Sequence, residues 1–270
     1  MHRGMSITLA LCQTEGRFAD PAGALDLLAA EARDAASAGA DLLVLPELFL
    51  SGYNLGPARA RALALAPESP ALARAQEIAR AEGLALCFGF PELVGDAVAN
   101  SAALIDEAGG VRLMYRKAHL FGDLDRDMFA VRGEGFPLVA WRGLSLGVAI
   151  CYDIEFPETA RVMALAGADL VLVPTALMPP YHVVAEALIP ARAYENQVYI
   201  AYANRCGSEP GLDYIGQSSI CGPDGAVLAR AGATPTRLLA RIDPAHLAET
   251  RRRDTLLADR RPALYGAIAS

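Results

Sequence analysis

The chain has 270 residues, 53% of them hydrophobic and 20% charged, with a formal net charge of −7. That length suffices for one large α/β domain or two small ones, and the acidic balance argues against nucleic acid, whose phosphate backbone calls for a basic surface. The one basic run, Arg251-Arg252-Arg253, is followed by Asp254, Asp259, Arg260 and Arg261 and reads as a solvated, salt-bridged surface.

The opening stretch "MHRGMSITLA" lacks the apolar core and small-residue cleavage site of a secretory signal, and no later apolar run approaches a membrane span. A cytoplasmic protein without membrane contact is expected. Ile7 to Gln13 reads as a first strand, and Pro21 to Ala38 as an alanine-rich helix stopped by Gly39. Asp41 to Pro46, "DLLVLP", reads as a strand buried on both faces. A helix over Pro70 to Glu82 leads to the strand "LALCFGF", then to "NSAALID" and "VRLMYRK" as a hairpin around a Gly-rich turn.

The second half repeats the plan: strand "LSLGVAI", helix Pro157 to Gly167, strand "DLVLVP", helix from about His182 to Asn196, strand "VYIAYAN". A last hairpin, "GQSSICGPDGAVLARAG", turns at Pro223-Asp224-Gly225. No linker, repeat or low-complexity block marks a boundary. One domain over 1–270 is expected, with a core of about 7–242, a tail of 243–270 and two similar α/β halves whose helices pack outside the sheets.

Five cysteines without a C-x-x-C pair suggest neither a disulfide framework nor a zinc site. Cys12, Cys87 and Cys221 sit inside strand patterns and Cys206 in a Gly-containing loop, where a thiol is a small buried hydrophobe. Cys151 differs because it ends its strand, and carboxyl ends of strands are where α/β sheets present ligands and nucleophiles. Glu47 and Lys117 occupy two further strand ends. A thiol with a pKa near 8.5 is only a few per cent thiolate at neutral pH, so a nucleophilic cysteine needs a base and a positive neighbour. Glu47 and Lys117 supply them, and the Tyr152 backbone N–H would stabilise the negative charge developing on the attacked group.

"LPELFLSGY" around Glu47, "YRKAHLF" around Lys117 and "ICYDIEFPE" around Cys151 resemble the three catalytic blocks of the nitrilase superfamily of carbon–nitrogen hydrolases. "GADLVLVPTA", "ARAYENQVYIAYANRCG" and "GQSSICGPDGAVLA" extend the similarity from Ile7 to about Ile242. The resemblance implies a four-layer α-β-β-α sandwich, a homodimer or higher homo-oligomer, a small-molecule amide substrate and neither cofactor nor metal. It also implies Glu47, Lys117 and Cys151 as catalytic residues and Tyr53, Asp125, Tyr152, Glu155 and Ala176 as substrate contacts. Two positions depart from the family pattern. Asp125 stands where many members carry a second glutamate, so its reach is one methylene shorter. Glu155 stands where many carry arginine, which either reflects a repacked salt bridge or attracts a cationic substrate.

The branch that "HLFGDLDRDMF", "CYDIEFPE" and "ENQVYIAYANRCG" most resemble is that of short-chain ω-amino-acid amidases of the 5-aminopentanamidase type and related stereoselective amidases. The expected activity is hydrolysis of a small aliphatic amide to acid and ammonia through a cysteine thioester. A nitrilase or an N-carbamoyl amine amidohydrolase would use the same three residues. Of the four histidines, His119 lies nearest a candidate residue and reads as a structural hydrogen-bonding group, His2 and His246 lie near the termini, and a papain-like pairing through His119 or His182 is unnecessary beside a carboxylate base.

Overall fold

The computed structural model describes residues 5–269. β1 (Ile7–Gln13), β2 (Leu42–Val44) and β3 (Ala85–Val94) run parallel, and β4 (Ala97–Ile105) and β5 (Val111–Arg116) continue the sheet antiparallel beyond β3. β6 (Leu138–Trp141) opens a second sheet, in which β7 (Leu144–Val148), β8 (Leu170–Thr175) and β9 (Tyr199–Asn204) are again parallel. The short hairpin β10 (Cys206–Glu209) and β11 (Leu212–Ile215) stands apart, β12 (Ser219–Cys221) and β13 (Val227–Arg230) complete the second sheet, and β14 (Thr236–Ile242) returns to pair with β1. Each six-stranded sheet therefore has three central parallel strands, joined through antiparallel pairing by one further strand on one side and by a two-strand hairpin or ribbon on the other. The halves share one plan.

Helices cover the outer faces. α1 (Pro21–Ser37) begins where the Asp20 side chain accepts from the Gly23 amide, and α3 (Pro70–Glu82), which follows the short α2 (Gly56–Ala62), begins where Ser69 caps the Leu72 amide. Both carry proline at the first helical position. Ala24, Leu28, Ala32 and Ala35 on α1 recur every three or four residues and pack with Leu72, Ala75 and Ile78 of α3 on Leu43, Leu86 and Phe88 of the first sheet. Leu28 is fully buried there, and Leu28→Ala would cost roughly 2–5 kcal/mol. After the short α4 (Gly122–Met128), α5 (Pro157–Leu165) and α6 (Ile189–Asn196) cover the second sheet through Ala160, Met163, Ile189 and Ala193 on Val171, Val173 and Ile200. Between the sheets Leu9, Leu11, Val44 and Cys87 meet Leu146, Val148, Leu172 and Ala201. The layers are α-β-β-α in a single domain.

Some local expectations change. The helical stretch after His182 passes through a π turn, Val184–Leu188, before α6, where Pro190 supplies no amide to the regular ladder. Cys206 opens β10 instead of lying in a loop, paired with Ile215. Arg251, on α7 (Pro244–Arg253), is more than a solvated charge. It pairs with Asp169 at 2.9 Å and donates to the carbonyls of Gln197 and Ala168, fastening α7 to the second sheet, while Leu247 enters the core.

Candidate active site

The two sheets bring their strand ends together. Glu47 follows β2, Lys117 follows β5 and Cys151 follows β7, and all three side chains are at most 8% exposed. Lys117 Nζ lies 2.7 Å from Glu47 Oε1 and 2.7 Å from Asp125 Oδ2. Asp125, delivered by α4, therefore reaches the lysine despite its shorter side chain. Its Oδ1 accepts from the Tyr53 hydroxyl at 2.6 Å, and its Oδ2 accepts the Phe121 amide at 2.9 Å. The Tyr53 ring centroid is 5.9 Å from Lys117 Nζ, close enough for a cation–π contact.

Backbone geometry explains the placement. Glu47 sits against Gly89 of β3, where an added Cβ would lie 2.3 Å from the Leu48 nitrogen and 2.8 Å from the Glu47 Cα, so glycine is what lets the two segments touch. Lys117 is pinned by its amide to the Asn100 carbonyl at 2.8 Å. Cys151 has a φ of 48°, uncommon for a residue with a Cβ, and starts a 3-10 turn over Cys151–Glu155. Asp153 holds that turn. Its fully buried carboxylate accepts from the Ile150 amide (3.0 Å), the Tyr115 hydroxyl (2.7 Å) and the His119 amide (2.8 Å), and pairs with His119 Nδ1 (2.8 Å). His119 thus ties the lysine segment to the cysteine turn, its ring stacked 4.1 Å from that of Phe156. His182 sits 3.4 Å from Gln217 and His246 3.5 Å from Asp224, while His2 lies outside the described residues.

The charges decide which group holds which proton. Burial alone would strip Lys117 of its proton, but the carboxylates of Glu47 and Asp125 more than offset this and raise its pKa well above the ordinary lysine value. It is an ammonium. Burial, and then the Glu47 charge, push the Cys151 thiol well above the usual thiol range, against the opposing pull of Lys117 and of a hydrogen bond from the Ala176 backbone. The resting cysteine is a thiol. Burial also raises Glu47, opposed chiefly by Lys117. Of its two oxygens, Oε1 accepts from Lys117 and from Asn100 Nδ2 at 2.7 Å, whereas Oε2 is buried without a hydrogen-bond partner among the described residues.

Ala176, immediately after β8, is fully buried, and its backbone is one of the influences that draw the thiol's pKa down. Tyr152 and Glu155, in the same turn as Cys151, are half-buried. The Tyr152 ring meets Phe121 edge-on at 5.3 Å and Phe156 at 5.0 Å, and Phe121 meets Tyr181 at 5.8 Å, an aromatic wall beside the cysteine. The Glu155 carboxylate has no hydrogen bond or ion pair among the described residues, and burial raises its pKa against the attraction of Lys117 and Arg192. Arg192 instead grips the turn's backbone, donating to the carbonyls of Ile154 (3.1 Å) and Glu155 (2.8 Å). Sequence reading passed over Asp153, Asn100, Arg192 and Arg205. A charged residue directly after an apolar strand, as Arg205 follows "VYIAYAN", is the signal that could have found the last of these, because a buried charge needs partners.

A buried thiol within electrostatic reach of both an ammonium and a carboxylate with one unpartnered oxygen is the equipment of a cysteine hydrolase. The family model for carbon-nitrogen hydrolase matches residues 8–252. A hydrolase in the pqqF 5' region of Pseudomonas protegens is 49% identical over 98% of this chain and 92% of its own length. An (R)-stereoselective amidase from Pseudomonas sp is 38% identical over 84% and 81%. The structure of a mutant amidase from Nesterenkonia sp. AN1, showing covalent addition of the acetamide moiety of fluoroacetamide at its active-site cysteine, superposes with a TM-score of 0.83 at 37% identity, covering 97% of each chain. The chain belongs to the carbon–nitrogen hydrolase family, the nitrilase superfamily, and is a hydrolase.

Proposed function

We propose that the protein is a cofactor-independent amidase that converts a small aliphatic amide to its carboxylic acid and ammonia through a thioester on Cys151. The observation that carries this is the open Oε2 of Glu47 in the same buried site as a protonated thiol. Glu47 takes the thiol proton as Sγ attacks the amide carbon, and the Lys117 ammonium and the Tyr152 backbone N–H stabilise the oxygen that becomes negative. Collapse breaks the carbon–nitrogen bond, Glu47 returns the proton to the leaving nitrogen, and ammonia departs. Water then attacks the thioester with Glu47, again a carboxylate, as general base, and the acid leaves with the thiol restored. Asp125 and Tyr53 keep Lys117 charged and oriented, and the Ala176 amide steadies the sulfur.

The substrate end away from the amide faces the aromatic wall and Glu155. An ammonium terminus there would gain a half-buried carboxylate that lacks a directly paired cation. A short ω-amino amide such as 5-aminopentanamide is accordingly the preferred substrate class. A cytoplasmic location fits five cysteines that are all unpaired. Association with a second copy is supported by an apolar groove of about 610 Å³ along α5 and α6, where Val162, Leu165 and Tyr194 are about half exposed.

The test is ammonia release from matched amides, nitriles and N-carbamoyl amines, with mass spectrometry of quenched enzyme for an acyl group on the Cys151 peptide. Amide turnover with that adduct is expected. Preferential turnover of the nitrile or the carbamoyl compound, or an adduct on another residue, would overturn the assignment.

A further inference from the structure

We infer that Arg205 and Glu209 are a positioning pair that sets Glu47 and Tyr53 from the opposite half of the chain, and through them both carboxylates that bracket Lys117; this rests on the roles proposed for Glu47, Lys117 and Cys151. Arg205 follows β9 and is completely buried. Its Nε donates to the Glu47 carbonyl at 3.2 Å, its Nη2 to the Leu48 carbonyl at 2.7 Å and its Nη1 to the Glu15 carbonyl at 3.3 Å. A Cβ at Gly16 would lie 2.3 Å from Nη1, so the guanidinium fills space that glycine leaves open.

Glu209 ends β10 and pairs with the same guanidinium, Oε1 to Nη1 at 3.1 Å. Its other oxygen, Oε2, accepts the amides of Tyr53 (2.8 Å) and Asn54 (3.1 Å) and the Tyr214 hydroxyl (2.9 Å). One ion pair thus grips both ends of the segment from Glu47 to Asn54. The near end carries the carboxylate on Lys117, and the far end carries the hydroxyl that donates to Asp125.

Stability alone is a poor reason for this arrangement, because a buried ion pair is often matched or bettered by apolar side chains of similar volume. Position is the better reason. The fork of an arginine fixes several carbonyls in one plane, which a lysine point charge cannot do. Leu48, whose carbonyl it holds, has a φ of 48°, a conformation that persists only where its surroundings impose it.

The experiment compares the wild type with Arg205→Lys, which keeps the charge opposite Glu209 but not the fork, and Glu209→Gln, which keeps one acceptor oxygen for the two amides but not the charge. Amide turnover is expressed per Cys151 that iodoacetamide can alkylate and that excess amide substrate protects, counted by peptide mass spectrometry. An unfolded chain is alkylated without protection, so the count is of intact sites. Misplacing a reacting group by about 1 Å costs on the order of a hundredfold, so kcat per protected site should fall roughly ten- to a hundredfold in each variant, with KM within about threefold. A purely structural role would instead lower the protected fraction and leave the rate per site at the wild-type value. Glu209→Asp, which keeps the charge, should recover most of the loss seen in Glu209→Gln. Wild-type kcat per site in either variant, a loss confined to KM, or no recovery in Glu209→Asp would overturn the inference. Should Arg205→Lys not fold, the two Glu209 variants decide it. Cys151→Ala is run alongside: if it still turns over amide the site assignment itself fails, and if it is dead while the Arg205 and Glu209 variants behave as wild type, only the positioning pair fails.

Discussion

After β2 and after β7 the chain makes two turns of the same kind, each with a non-glycine residue at a φ of 48°: Leu48 in the first and Cys151 in the second. Such conformations cost of order 1–3 kcal/mol unless the surroundings dictate them, and each turn has a buried arginine on its carbonyls, Arg205 in the first and Arg192 in the second. The difference is exposure. Glu47, Leu48, Ser51 and Tyr53 are all at most 1% exposed, whereas Tyr152, Glu155 and Phe156 remain half-buried beside a buried Cys151. Under the proposed function the first turn can only act on what reaches the sulfur, while the second would also present a surface to the rest of the substrate. Changes at the buried groups should therefore slow all substrates alike, and changes on the outer side of the second turn should alter the ratio between substrates.

Cys151→Ala is the most severe way to probe this division. Losing the nucleophile should lower turnover more than about a thousandfold for every amide, since covalent catalysis contributes several kcal/mol. Cys87→Ala, altering a thiol packed between the sheets, should leave kcat within about twofold. Rates on purified variants with matching circular dichroism check both, and a Cys151→Ala enzyme above a thousandth of the wild-type rate would remove the second turn from the chemistry.

Lys117→Ala comes next, with an expected loss of about a hundred- to a thousandfold, the usual effect of deleting one group that stabilises the oxyanion. The structure adds a second consequence. Glu47 and Asp125 would be left buried without their shared cation, and breaking a buried pair costs about 3–5 kcal/mol. Thermal unfolding should reveal a lowered Tm beside the lost rate. Chelators should leave the wild type unchanged, and a rate abolished by chelation and restored by zinc would displace Lys117 from its role.

A gentler probe is pH. In the proposed mechanism Glu47 acts as a carboxylate, and burial raises its pKa, so kcat/KM for a neutral amide should fall on acidification at a pH above the ordinary glutamate value of about 4.3. The thiol gives no opposing limb near neutrality because its own pKa is raised and the reactive form is the neutral one. An acid limb at or below the ordinary value would mean that Glu47 is not the base.

These roles were legible to different degrees. Glu47, Lys117 and Cys151 stand at strand ends in motifs that resemble one family, and the parallel strand that delivers Glu47 is a continuous apolar run. Asp125 was harder to read, since α4 has only seven residues and no period to fix its direction. Arg205 announces itself only as a charge directly after an apolar strand, and what it and Glu209 do could not be read because their partners, Glu47 and Tyr53, lie more than 150 positions away in sequence. β14 was missed for a related reason: what makes it a strand is β1, at the other end of the chain.

The smallest effect is the most specific to this chain. Glu155→Gln should remove most of a ten- to hundredfold preference for 5-aminopentanamide over pentanamide, since a hydrogen bond to a charged group contributes on the order of 1.5–3 kcal/mol, at 1.4 kcal/mol per tenfold. Neutral pentanamide, which makes no ion pair, should turn over as before. Acidification offers an independent check on the wild type. Burial raises the Glu155 pKa, so the carboxylate is neutralised above the ordinary range as pH falls, and the preference should fade there with it. Protonation of Glu47 also slows the enzyme on acidification, but it slows both amides by the same factor and cancels in the ratio of their kcat/KM values. The ratio therefore reports Glu155 alone. A ratio near one at neutral pH, a ratio unmoved by Glu155→Gln, or an equal loss on both amides would assign Glu155 to the packing of the turn and leave the outer side of the cysteine without a role in choosing substrates.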